Sequence, residues 1–123
     1  MALIEAHGLY RRYAAGEVGA VALDGVDLTL ERGDFTVLSG RSGSGKTTLL
    51  NMVGTLDRPD RGTLSIAGQD VLNLNRAERA LFRLHHVGFI FQAYNLIRVL
   101  SARENVAYVL QLQGVPAEKR REI

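Results

Sequence analysis

The stretch from Ser39 to Leu50 reads Ser-Gly-Arg-Ser-Gly-Ser-Gly-Lys-Thr-Thr-Leu-Leu, with glycines at 40, 43 and 45. Glycine costs conformational entropy on folding and offers no side chain to a core, so such a cluster calls for a compensating ligand. The flanks narrow the choice. Upstream, residues 35–40 (FTVLSG) form a short, nearly continuous apolar run, the pattern of a strand covered on both faces. Downstream, Leu49, Leu50, Val53 and Leu56 recur at helical spacing, so a helix opens inside the loop.

A strand, then Gly40-x-x-x-x-Gly45-Lys46-Thr47, then a helix is the context of a phosphate-binding P-loop. Gly43 and Gly45 let backbone N–H groups turn inward and approach phosphate oxygens with no Cβ in the way. The helix starting near Lys46 aims its first N–H groups and its positive dipole end at the same anion. Lys46 is expected to reach the β- and γ-phosphates as a point charge. Thr47 is expected to set its hydroxyl on Mg²⁺, a hard cation that prefers oxygen ligands. Thr48, with Ser42 or Ser44, adds hydroxyl or amide contacts to the α- and β-phosphates. The loop is predicted to bind a nucleotide.

The remainder is consistent with one α/β domain. At 123 residues the chain is near the commonest domain size. Val26, Leu28 and Leu30 alternate with Asp27, Thr29 and Glu31, predicting a half-buried strand that turns at Arg32-Gly33. Pro59 and Gly62 close the first helix, and residues 63–68 (TLSIAG) read as a strand. Asn75 and Glu78 have capping-box spacing ahead of a helix whose face is Ala77, Ala80, Leu81 and Leu84. Residues 87–91 (VGFIF) read as a second buried strand. Ser101 and Glu104 open a further helix that Gly114 closes, and Pro116 starts another.

Composition excludes several classes. Cysteine is absent, which rules out disulfides and thiolate metal sites, and His7, His85 and His86 form no metal-binding pattern. Net charge is +2 with basic residues scattered apart from a cluster at 118–123, so nucleic acid is not an expected partner. No apolar run approaches the roughly 18 residues of a membrane span, and the start lacks the pattern of a secretory signal. The cytoplasmic side is the expected location.

Residues 13–71 resemble the opening half of an ATP-binding cassette (ABC) transporter ATPase, and residues 85–106 resemble that family's Q-loop region. The subfamily's Phe-Gln-x-Phe-Asn-Leu run appears as Phe91-Gln92-Ala93-Tyr94-Asn95-Leu96. The nearest likeness is to the branch serving lipoprotein release, macrolide-type export and cell division. The resemblance implies a P-loop NTPase fold of the ABC ATPase type with an N-terminal antiparallel β subdomain. It implies that Tyr13 stacks on adenine, that residues 40–48 bind the phosphates of ATP, and that Gln92 ligands Mg²⁺ or holds the attacking water. By the same resemblance, residues 94–100 face a membrane permease, and the protein works as a dimer of nucleotide-binding subunits on the cytoplasmic face of the membrane. Arg41 replaces a usual proline, but that position contributes mainly backbone.

The family's Leu-Ser-Gly-Gly-Gln signature, its strand ending in Asp-Glu and its switch histidine do not occur among these residues. The chain is therefore expected to be a partial, incomplete domain that binds ATP without hydrolysing it, while the full-length protein is an ATPase. Two other readings stay open at this level: an ABC-type ATPase of ribosomes or DNA repair, and a nucleotide-binding regulator.

Overall fold

The computed structural model describes residues 2–15, 18–91 and 96–122. It divides into two compact units, 1–79 and 80–123, each taken by itself below.

The first unit is built on an antiparallel sheet of order β2-β1-β3-β4, from β1 (Ala2–Ala15), β2 (Val18–Glu31), β3 (Arg61–Ile66) and β4 (Gln69–Asp70). β1 and β2 pair from Ala2↔Glu31 to Ala15↔Val18, and β3 adds to the other edge of β1 with Ala6↔Leu64. Along β2 the alternation holds: Val26, Leu28 and Leu30 are half-buried, while Asp27, Thr29 and Glu31 are exposed. Helix α1 (Lys46–Val53) lies against β2 and turns Leu49 and Met52 inward. With Ala6, Leu9, Leu23, Leu64, Ile66 and Val71 they make the core of this unit.

Helix α1 is shorter than its apolar spacing predicts. Its last turn closes with Thr55 N–H on Met52 O and Leu56 N–H on Asn51 O, the paired bonds of a Schellman ending. Thr55 takes the left-handed position there, with φ +61. The helix therefore stops at Val53, and Leu50 and Leu56, two of the residues at helical spacing, are exposed.

Neither of the two expected buried strands forms. Residues 35–40 and 87–91 carry no ladder among the described residues, and Phe35 is 95% and Ile90 103% exposed. An apolar run records what a strand requires on its faces, and a ladder needs a neighbouring strand as well. Within the 87–91 segment the rings of Phe89 and Phe91 stack at 5.4 Å between ring centres.

Helix α2 (Arg76–His86) starts on the expected capping box, with Glu78 N–H donating to Asn75 Oδ1 at 2.8 Å and Asn75 N–H to Glu78 Oε1 at 3.0 Å. The buried residue is Phe82, whose ring lies 4.5 Å from His86. Ala77, Ala80 and Leu81 are exposed instead, because which stripe of a short helix is covered depends on its neighbours and not on periodicity alone.

In the second unit, α3 (Ala102–Leu112) opens on the Ser101–Glu104 capping box. It closes on Gly114 at φ +83, with Val115 N–H reaching Leu110 O and Gly114 N–H reaching Gln111 O. Only glycine adopts that backbone without strain, so its place is explained. Helix α4 (Ala117–Glu122) follows Pro116.

Candidate nucleotide site

The loop between residues 40 and 46 turns on Gly45, which caps α1 with φ +97 and no side-chain cap. A Cβ at Gly45 would sit 2.4 Å from the Ala22 carbonyl oxygen, so only glycine lets the loop pass this close to β2. Helices α2 and α3 close their first turns with Asn75 and Ser101; α1 does not. The first backbone bond in its ladder is Leu49 N–H to Gly45 O at 2.9 Å, and the N–H groups of Lys46, Thr47 and Thr48 have no backbone acceptor among the described residues. No acidic side chain occupies the first turn to satisfy them. A helix end left open in this way carries a partial positive charge of about half a unit and directs its donors at an anion.

These groups open on a cavity of about 460 Å³ lined by Tyr13, Ala20, Val21, Ala22, Ser42, Gly43, Gly45, Lys46, Thr47 and Thr48. The sheet thus brings an aromatic ring, near the end of β1, to the same cavity as the glycine loop. Of the predicted site residues, Gly40, Arg41 and Ser44 do not line the wall. They brace the loop instead. The Gly40 carbonyl accepts from Lys46 Nζ, Arg41 O accepts from Ser44 N–H at 3.1 Å, and a Cβ on Gly40 would lie 2.7 Å from Ser44 Oγ. Gln92 and residues 93–95, which include the start of the segment expected to face a permease, lie outside the described residues.

The sequence reading missed the surroundings of Tyr13. Its hydroxyl donates to Asp57 Oδ2 at 2.8 Å, and the Arg11 guanidinium lies 4.8 Å from its ring centre. Arg11 is in turn 3.5 Å from Asp57 and 3.1 Å from Asp60. The Asp60 carboxyl is held below its ordinary range, first by the Arg12 N–H that donates to it and further by the charge of Arg11, against the opposing effect of burial. Asp57 and Asp60 fall in a segment legible only as a turn, and Arg11 in one of two adjacent arginines. Ala20, Val21 and Ala22 carry no chemical signal at all.

The chain has a glycine loop between β2 and α1, an open helix end and an aromatic ring around one cavity. The family model described as "ABC transporter" matches residues 23–123, most of the chain. The chain belongs to the ABC transporter family. Among curated relatives of this ABC chain, the macrolide export ATP-binding/permease protein MacB of Azoarcus sp. strain BH72 is 45% identical over 118 residues, covering 96% of this chain and 18% of that protein. The bacitracin export ATP-binding protein BceA of Halalkalibacterium halodurans is 39% identical, covering 94% of this chain and 46% of that protein. A solved dimeric structure of the ATP-binding cassette MJ0796, in a post-hydrolysis state bound to ADP and Pi, matches with a TM-score of 0.90 and 35% identity. That match covers 97% of this ABC chain and 53% of the cassette. The chain therefore spans about half the length of BceA (46%) and of MJ0796 (53%). Within that shared length the fold is the ABC ATPase type, and nucleotide binding comes with the family. No helix among the described residues is long and apolar enough to cross a membrane.

Proposed function

We propose that this chain is the P-loop and Q-loop part of an ABC ATP-binding domain that binds Mg-ATP in the cavity between Tyr13 and Lys46. The observation that carries the reading is the shared wall: Tyr13, the glycine loop, Lys46 and the uncapped first turn of α1 line a single cavity. Tyr13 offers flat stacking area to adenine at low entropy cost. The N–H groups of Gly43, Gly45 and the first turn of α1 cradle phosphate oxygens. Lys46, held by the Gly40 carbonyl, exchanges that acceptor for a phosphate oxygen when the nucleotide enters.

The hydroxyls of Ser42, Thr47 and Thr48 give the wall the hard oxygen donors that Mg²⁺ prefers. Thr47 and Gln92 are the residues proposed to hold the ion, which when bound neutralises charge between the phosphates. The catalytic roles fall to Lys46, which stabilises charge on the transferring phosphate, and to Gln92, which orients water.

The relatives that carry export in their names support a further step: the complete protein hydrolyses ATP to drive transport through a permease. In this reading it acts as a dimer of ATP-binding subunits, peripheral to the cytoplasmic face of the membrane. None of these relatives favours a ribosomal, DNA-repair or purely regulatory role. The exposed apolar runs at 35–40 and 87–91 support the view that these residues are part of a larger domain, so they bind ATP without turning it over alone. Calorimetric titration with the non-hydrolysable analogue AMP-PNP tests the site. Lys46→Ala is expected to abolish binding with the circular dichroism spectrum unchanged, whereas unchanged affinity would sink the assignment.

A further inference from the structure

We infer that Asp57, acting with Arg11, is a positioning residue that fixes the Tyr13 ring for an adenine base; the inference rests on the nucleotide reading above. Tyr13 is the one aromatic side chain among the residues named on the cavity wall. A tyrosine at the mouth of an open cavity turns about two side-chain torsions, and a base gains more from a ring already held in place.

Tyr13 is held at both of its features. Its hydroxyl donates to Asp57 Oδ2 at 2.8 Å, and the Arg11 guanidinium covers one face of the ring at 4.8 Å. That leaves a single face for a base. Arg11 is itself clamped, 3.5 Å from Asp57 Oδ1 and 3.1 Å from Asp60 Oδ1. Asp60 is tied to β1 on either side of Arg11, because it accepts from Arg12 N–H at 2.8 Å and donates its own N–H to Tyr10 O at 2.7 Å.

Asp57 also belongs to the segment that closes α1, where its N–H donates to Asn51 O at 3.2 Å. The other end of α1 is the phosphate cradle. One carboxylate therefore connects the ring at the base end of the site to the helix whose first turn meets the triphosphate. Asp57 touches neither ligand end directly; it acts through Tyr13.

The test compares two ligands in the complete protein by calorimetry: AMP-PNP, which has a base, and inorganic tripolyphosphate, which has none. Tyr13→Phe and Asp57→Leu are each expected to weaken AMP-PNP about fivefold, the range for losing one hydrogen bond, and to leave tripolyphosphate unchanged. The double variant is expected to be no weaker than either single one, because both remove the same bond. If Asp57→Leu weakens both ligands alike, or if its effect adds in full to that of Tyr13→Phe, Asp57 only supports the loop and the inference is overturned. If Tyr13→Ala weakens AMP-PNP while Asp57→Leu does not, adenine stacking stands and the positioning role falls. If Tyr13→Ala leaves AMP-PNP affinity intact, stacking on Tyr13 itself is wrong. Should Asp57→Leu fold poorly, Tyr13→Phe alone decides: unchanged AMP-PNP affinity overturns the proposal.

Discussion

Replacing Gly45 by alanine adds one methyl group where the loop passes closest to the sheet. Two costs follow from the geometry. Gly45 holds φ +97, and forcing an L-residue into the left-handed region costs about 1–2 kcal/mol. The new Cβ would also lie 2.4 Å from Ala22 O and 3.4 Å from Leu23 Cδ2. Backbone cannot rotate away as a long side chain can, so loop or strand must shift, and overpacking of this kind costs about 1–3 kcal/mol. Together they come to about 2–5 kcal/mol, a large share of a typical domain stability of about 5–15 kcal/mol.

Gly43 provides the control. It holds φ +82, yet a Cβ there meets nothing within 4 Å, so Gly43→Ala bears only the backbone cost of about 1–2 kcal/mol. For a urea slope of about 2 kcal/mol/M, Gly45→Ala is expected to lower the unfolding midpoint by about 1–2.5 M and Gly43→Ala by about 0.5–1 M. Because Ala22 lines the cavity, Gly45→Ala is expected to lose AMP-PNP binding under conditions where it remains folded. Equal midpoints for the two variants, or a Gly45→Ala protein as stable as the parent, would refute the close-approach argument.

Two further expectations follow. Gln92→Ala in the complete protein should spare AMP-PNP binding and lower ATP turnover on the order of 10²-fold, as expected for a polar group that acts in the transition state; a loss of binding with turnover intact at saturation would make Gln92 structural. The carboxyls of Asp60 and Glu104 lie below their ordinary range, foremost through the N–H groups of Arg12 and Ser101 that donate to them. Their contribution is present above the unfolded value near about 4 and disappears as pH falls through the lower folded value. Stability is thus expected to fall off in that acid window, less steeply in Asp60→Asn and Glu104→Gln, and an acid limb identical in all three proteins would contradict it.

The features legible in the sequence were those set by local chemistry. The glycine loop, both capping boxes and the Gly114 helix end depend on bonds spanning six residues or fewer, and each forms as the residues imply. Features that need a distant partner were less legible. Phe35, Val37, Ile90 and Phe91 spell out buried strands, yet without a paired neighbour among the described residues they stand exposed. Helix α1 ends early because Thr55, a residue with no helix-stopping signal, takes the left-handed turn. Strand β1 runs over 14 residues with no long alternating pattern, its register with β2 shifting between Ala6 and Leu9. The Arg11–Tyr13–Asp57 cluster spans more than forty positions and has no sequence signature.

A crystal of the complete protein with AMP-PNP and magnesium tests the central claim most directly. The account predicts a triphosphate against the N–H groups of Gly43 and residues 45–48, Lys46 Nζ moved from Gly40 O to a phosphate oxygen, and adenine lying on Tyr13. A bound nucleotide elsewhere, with Lys46 still on Gly40 and the loop bare, would contradict it.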